Sequence, residues 1–149
     1  MPTTDQLAHT AARWWADLLA RPTAHRTLSD AERADPANGP VEMAEMLADL
    51  TQPTYDDAAV EAFYRALRQR LVTAIERPYG VELHVDYSPE GLLADALDEA
   101  VQAGGILSGL PWKTSMYIRD GRIRANIGYG STLADVPLCN EEAPCSPNP

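Results

Sequence analysis

Hydrophobic residues recur every three to four positions along the first half of the chain, which predicts three α-helices there. The expected helices cover residues 5–20, 40–53 and 54–78, and a threonine or proline stands at or near each boundary. Thr54 is the expected N-cap of the third helix, because its hydroxyl can accept a hydrogen bond from a free backbone N–H. The N-terminal half is therefore expected to consist of helices, with a polar connection over residues 23–38 between the first and the second.

The hydrophobic pattern changes to strict alternation after Gly80, which is typical of half-buried strands. A strand is predicted over residues 81–87 and a helix from Ser88 to about residue 103. A hairpin of two strands then follows over residues 113–119 and 122–127. The predicted class is α+β: three N-terminal helices and then strand-helix-strand-strand, with a small antiparallel or mixed sheet covered by helices on one face. Residues 1–136 are expected to form one domain and residues 137–149 a flexible, proline-rich tail.

The Asp120-Gly121 turn fixes how the side chains of this hairpin are distributed. A two-residue turn pairs Arg119 with Arg122, and every second residue then shares a face of the sheet. The apolar face is expected to carry Thr114, Met116, Ile118, Ile123, Ala125 and Ile127. The opposite face is expected to carry Lys113, Ser115, Tyr117, Arg119, Arg122, Arg124 and Asn126. Four cationic side chains are thus predicted to lie on one face.

Charge is spread unevenly along the 149 residues, whose formal net charge is −10. Residues 27–64 hold nine acids and one arginine, a net −8, whereas residues 104–132 hold four cations and one acid, a net +3. So acidic a chain is not expected to bind nucleic acid directly. No apolar run is long enough to span a membrane and no leader pattern is present, so a cytoplasmic protein is expected.

Metal-binding chemistry is not expected from this chain, because its potential ligands are few and scattered. Cys139 and Cys145 are its two cysteines; they could form a loop disulfide in an oxidising compartment, but both are expected to be reduced in a cytoplasmic protein. No cofactor motif is present. A homodimer or a higher homo-oligomer is compatible with the exposed hairpin edge.

The leading functional hypothesis is a non-enzymatic protein that binds an anionic small molecule, such as a nucleotide, on the cationic hairpin face. Arginine and lysine offer charge-assisted hydrogen bonds to phosphate, and aromatic rings can stack on a base. The expected ligand-binding residues are Trp112, Lys113, Tyr117, Arg119, Arg122, Arg124 and Tyr129. The alternative reading of the same face is structural: Arg122 or Arg124 pairs with a carboxylate such as Glu82 or Asp86 on a neighbouring strand.

Two further functions compete with ligand binding. The acidic segment, with Glu42, Glu45 and Asp49 at helical spacing, could occupy a basic groove on a host protein and so act as an inhibitor. Alternatively the protein is a small hydrolase, in which His84 is the base and Asp86 its orienting carboxylate. The nucleophile of that hydrolase is either Ser88 or Ser115. A binding protein is expected in preference to an enzyme.

Three short motifs resemble those of small proteins encoded by bacterial phages and prophages. They are Arg13-Trp14-Trp15-Ala16, Pro111-Trp112-Lys113-Thr114 and Gly128-Tyr129-Gly130. The resemblance implies no activity and no functional residues. It does imply a context, since small phage accessory proteins often counter host defence by sequestering nucleotide signals or by blocking a host protein. The expected partner is therefore an anionic small molecule or a host defence protein.

Overall fold

The computed structural model describes residues 1–20, 55–86, 89–101, 110, 113–128 and 132–139. These residues form three helices and a four-stranded antiparallel sheet, so the protein belongs to the α+β class. The helices are α1 (Thr4–Ala20), α2 (Asp57–Ile75) and α3 (Leu92–Val101). The strands are β1 (Val81–Val85), β2 (Thr114–Arg119), β3 (Arg122–Asn126) and β4 (Ala134–Asp135). The helix predicted over residues 40–53 lies outside the described residues.

Helix α1 begins where the sequence predicts, because the Thr3 hydroxyl accepts a hydrogen bond from the Gln6 N–H at 3.1 Å. Its two tryptophans lie about 100° apart around the helix axis, so they face different surroundings. Trp15 is fully buried, whereas Trp14 is only partly buried and packs edge-on against it. The wide apolar stripe of α1 therefore lies against the core.

Helix α2 starts later than predicted and ends earlier. Its N-cap is Asp56 rather than Thr54, and the Asp56 carboxylate accepts a hydrogen bond from the Ala59 N–H at 2.8 Å. An aspartate also suits the positive end of the helix dipole, which a threonine hydroxyl does not exploit. The helix ends at Ile75, two residues before Pro78 would force it to stop.

The sheet has the order β1-β2-β3-β4, and every neighbouring pair is antiparallel. The hairpin register is confirmed: Tyr117 lies opposite Arg124, and Arg119 lies opposite Arg122. Asp120 and Gly121 both have positive φ angles, 52° and 73°, which a tight turn between twisted strands requires.

Several sequence-based boundaries differ from the structure. Strand β1 ends at Val85, and the expected helix start at Ser88 is wrong, because Pro89 forms a bridge with Val85 and α3 begins only at Leu92. Ile127 was expected on the buried face but is 40% exposed, since β3 ends one residue before it. Lys113 precedes β2 and has a φ of 57°, so it is not part of the strand.

One hydrophobic core contains buried residues of α1, α2 and α3 and of strands β1, β2 and β3. Helix α2 packs against both α1 and α3, while α1 contacts β3 and both other helices contact β1. The buried face of the sheet carries Val81, Leu83, Val85, Thr114, Met116, Ile118, Ile123 and Ala125. Burial of these apolar side chains stabilises the fold by about 25 cal/mol per Å² of apolar surface removed from water.

The chain after β4 returns to α1. The Thr10 hydroxyl donates to the Gln6 backbone oxygen at 2.8 Å and accepts a hydrogen bond from the Cys139 N–H at 3.1 Å. Cys139 is buried and disulfide-bonded, so the expectation that the cysteines are reduced is wrong for this residue; Cys145 lies outside the described residues. The predicted domain division after residue 136 stays a prediction.

Candidate functional site

The candidate site is the polar face of the sheet, opposite the core. It carries the side chains that alternate with the buried ones along each strand. We use this name for Glu82, His84, Ser115, Tyr117, Arg119, Arg122, Arg124 and Asn126. The antiparallel register arranges most of them in two rows across the strands. One row is Glu82, Tyr117 and Arg124; the other is His84, Ser115 and Asn126.

Three predicted ligand-binding residues lie together at one end of the polar face. Arg119, Arg122 and Arg124 flank the Asp120-Gly121 turn, and their side chains are 53–73% exposed. Arg119 and Arg122 face each other across the hairpin, which places two like charges side by side. The sequence-based prediction that these arginines share a face is therefore confirmed.

Strand β4, which the sequence did not reveal, adds a carboxylate to this arginine group. Asp135 lies opposite Arg124 in the register. The Arg122 Nη2 atom lies 3.0 and 3.1 Å from the two oxygens of Asp135, and the Arg124 Nε atom lies 3.8 Å from one of them. One carboxylate therefore serves two guanidinium groups, which leaves part of their donor capacity facing solvent.

The remaining two cations also have carboxylate neighbours. The Lys113 ammonium donates a hydrogen bond to Asp86, and the Lys113 backbone N–H donates to the Asp86 backbone oxygen at 3.2 Å. Arg119 has only a loose contact, since its Nε atom lies 3.9 Å from Asp120 and both side chains are largely exposed. Lys113 is thus fixed to the end of β1, away from the arginine group in the register.

His84 has two polar neighbours on the polar face. Its Nδ1 atom lies 3.1 Å from the Ser115 hydroxyl oxygen and its Nε2 atom lies 3.4 Å from Glu82. The Tyr117 ring packs edge-to-face against the imidazole, with 5.5 Å between ring centroids. The prediction that Asp86 orients His84 is not supported by these contacts, because Asp86 pairs with Lys113 and the carboxylate beside the imidazole is that of Glu82.

Several predicted site residues lie outside the described residues. They are Trp112 and Tyr129 of the ligand hypothesis, Glu42, Glu45 and Asp49 of the inhibitor hypothesis, and Ser88 of the hydrolase hypothesis. The inhibitor hypothesis therefore stays a prediction from the charge pattern alone. Within the part of the chain that the structure describes, no three metal-ligating side chains come together, and no helix is long and apolar enough to cross a membrane.

A second polar group lies between α1 and α2, away from the sheet. Arg13 donates a hydrogen bond to Glu61 at 2.9 Å, and its guanidinium lies 3.9 Å from the centre of the Tyr64 ring. This hydrogen bond holds the pKa of the Glu61 carboxyl below its ordinary value of 4.5. Burial lowers the pKa of Arg13, but the hydrogen bond to Glu61 and the charges of Glu61, Tyr64 and Asp17 together raise it overall. These contacts join two helices, so we assign them a structural role.

Comparison with known protein families, with curated proteins and with solved structures finds no match to this chain. The function is therefore argued from the side chains of the polar face and from their geometry.

Proposed function

We propose that the protein binds an anionic small molecule on the polar face of its sheet, and that it acts as a phage-type accessory protein that sequesters a nucleotide. The observation that carries the proposal is the hairpin register, which gathers Arg119, Arg122 and Arg124 at one end of this face with most of each side chain exposed. Guanidinium groups bind phosphate through paired, charge-assisted hydrogen bonds.

In this proposal the Asp135 carboxylate competes with the ligand for the hydrogen-bond donors of the arginines. It occupies the donors of Arg122 and approaches those of Arg124, as a phosphate would. A surface ion pair of this kind is worth only up to about 1 kcal/mol, so a dianionic phosphate can displace it. The carboxylate also limits the attraction for weakly charged anions, which favours ligands with more than one negative charge.

Tyr117 provides the contact for the uncharged part of the ligand. It lies directly opposite Arg124 on β3 and its ring is partly exposed between that arginine and His84. Stacking of a base on an aromatic ring contributes about 1–3 kcal/mol. A molecule with a phosphate and a planar base therefore fits this row better than phosphate alone.

Isothermal titration calorimetry against linear and cyclic nucleotides, with inorganic phosphate for comparison, tests this function. We expect at least one nucleotide to bind and to bind more tightly than phosphate. Replacing Arg122 and Arg124 together by alanine is expected to weaken binding at least tenfold, since each charge-assisted contact is worth about 1.5 kcal/mol or more. Absence of binding by every member of the panel would contradict the proposal.

Two variants separate site effects from general charge effects. Asp135→Asn keeps the shape of the side chain but removes the competing charge, so nucleotide affinity should rise severalfold. Arg65→Ala removes an exposed arginine that lies on α2 and not on the sheet, and should leave affinity unchanged. Equal losses for Arg65→Ala and for the double variant would show that only the overall charge matters.

A further inference from the structure

We propose that Ser115, His84 and Glu82 form a nucleophile, base and orienting carboxylate that accept an acyl group from small carboxylic esters. Nδ1 of His84 lies 3.1 Å from the Ser115 hydroxyl oxygen, and Nε2 lies 3.4 Å from the Glu82 carboxylate. A hydroxyl, an imidazole and a carboxylate linked in this order are the arrangement that activates a serine. This inference goes beyond ligand binding and does not depend on the arginines.

The hydrogen-bonding capacity of each group fixes the direction of this chain. A carboxylate can only accept hydrogen bonds, so the Nε2 atom that faces Glu82 must carry the proton. In the neutral ring Nδ1 then has a lone pair and accepts the Ser115 O–H. This is the tautomer in which His84 can act as a general base toward the serine.

Backbone pairing holds the three groups in place. His84 and Ser115 are direct partners in the β1–β2 register, and Glu82 lies two residues from His84 on the same face. The edge-to-face contact with Tyr117 restricts rotation of the imidazole. About a third of the His84 side chain is exposed and Ser115 is itself only partly buried, so the pair is open to a small ester.

The proposed step is balanced without any cofactor. The Ser115 Oγ atom attacks the ester carbonyl carbon, its proton passes to Nδ1 of His84, and the bond from carbon to the leaving oxygen breaks. The His84 proton then passes to the leaving alkoxide or phenoxide, which departs as an alcohol or phenol. Water activated by the same imidazole releases the carboxylic acid and restores the serine.

Covalent labelling of the intact protein with a fluorophosphonate tests the nucleophile directly. In this reaction the Ser115 oxygen replaces fluoride at phosphorus, and the hydroxyl proton and the fluoride are released as HF. We expect one adduct per chain by intact mass, located at Ser115 by peptide mapping and absent from heat-denatured protein. Labelling that proceeds no faster in native than in denatured protein, or that maps to another residue, would overturn the proposal.

Variants assign the individual roles. Ser115→Ala should abolish the adduct, while Thr73→Ala, which removes an exposed hydroxyl of α2, should leave it unchanged. His84→Ala should slow labelling by about 10²–10⁴-fold, the usual contribution of a general base. Unchanged labelling of either Ser115→Ala or His84→Ala contradicts the proposal.

Glu82 is a positioning residue, so its test needs more than a rate. Glu82→Gln should shift the pH dependence of labelling, because the anionic partner of the imidazole is lost, and Glu82→Asp should restore part of the rate. A rate loss with an unshifted pH profile would contradict the role assigned to Glu82.

Nitrogen NMR of His84 in the unmodified protein avoids any dependence on how the variants fold. The proposal requires the neutral ring to carry its proton on Nε2. Detection of that tautomer supports the proposal, and detection of the Nδ1–H tautomer refutes it, because the serine would then lack an acceptor.

Discussion

The two faces of the sheet are built from the same strands and yet have opposite properties. On one face, residues such as Leu83, Met116 and Ile123 are at most 1% exposed and contact only protein. On the other, Glu82, Arg122 and Arg124 are more than half exposed; Glu82 contacts His84, and the two arginines contact Asp135. Adjacent residues on one strand therefore belong to different physical environments, so stability and binding can be altered separately.

The two faces should therefore respond differently to substitution. A change on the buried face alters packing and so the free energy of unfolding. A change on the polar face mostly exchanges one solvated contact for another. Five predictions, ordered by expected effect, extend this comparison between buried and exposed contacts.

The largest effect is expected for a pair of neighbouring residues on β1. Leu83→Ala should lower the free energy of unfolding by about 2–5 kcal/mol, because it removes buried methyl groups and leaves a cavity. Glu82→Ala, one residue away on the polar face, should change it by about 0.5 kcal/mol or less. Urea denaturation of both variants checks the comparison, and similar losses for the two would disprove the separation of the faces.

The close approach of β1 and β2 should make one glycine far less replaceable than another. Gly80 has a φ of +76°, and a Cβ atom there would collide with the backbone oxygen of Ile118. Gly80→Ala should therefore cost more than the 1–2 kcal/mol expected for a left-handed conformation alone. Gly91, with a φ of +57° and nothing near its missing Cβ, provides the matched control. Thermal unfolding of both alanine variants measures the difference, and equal losses would argue against a tight strand contact at Gly80.

Thr114 is a polar residue on the buried face, and its hydroxyl has no hydrogen-bond partner in the described part of the chain. Thr114→Val keeps the branched shape and removes the unpaired hydroxyl, so it should raise the free energy of unfolding by about 1 kcal/mol. Thr73→Val on the exposed side of α2 is the control, and it should have little effect. A loss of stability at position 114 would show that the hydroxyl is satisfied.

The smallest effects are expected for exposed ion pairs. A double-mutant cycle of Arg122→Ala and Asp135→Ala should give a coupling below about 1 kcal/mol that decreases at high salt. A coupling of several kcal/mol would mean that this pair contributes to stability like a buried contact.

The Arg13–Glu61 pair between α1 and α2 should make a small contribution to the free energy of unfolding, and this contribution should depend on pH. Because the pKa of Glu61 is lowered in the folded state, its contribution is complete above pH 4.5 and is lost as pH falls through the lowered value. Glu61→Gln should therefore flatten part of the decline in stability below pH 4.5. Identical acid unfolding curves for variant and wild type would contradict this contribution.

The sequence predicted the elements whose signals are local. The Asp120-Gly121 turn fixes the hairpin register by itself, and the apolar periods of α1 and α2 extend over many residues. Strand β4 was missed because two residues show no period and their partners on β3 are nine and eleven positions away in the chain. That omission also hid Asp135, so the sequence overestimated the positive charge of the polar face.

The sequence predicted the candidate site only in part, because some of its contacts join residues that are far apart in the chain. Alternation placed His84 and Ser115 on polar positions, but only the β1–β2 register brings them together across 31 positions of sequence. Asp86 and Glu82 are equally spaced from His84, so sequence alone could not decide between them. In the structure Asp86 pairs with Lys113, and the carboxylate that lies beside the imidazole is that of Glu82.

Strand β4 is only two residues long, which affects how Arg122 and Arg124 are released from Asp135. Two paired residues and the hydrogen bond from the Val136 N–H to Ile123 hold it in place, so it can detach without disturbing the rest of the sheet. Each detachment carries Asp135 away from Arg122 and Arg124. This fraying is one route by which the two guanidinium groups become vacant, and amide exchange at Val136 measures how often it occurs.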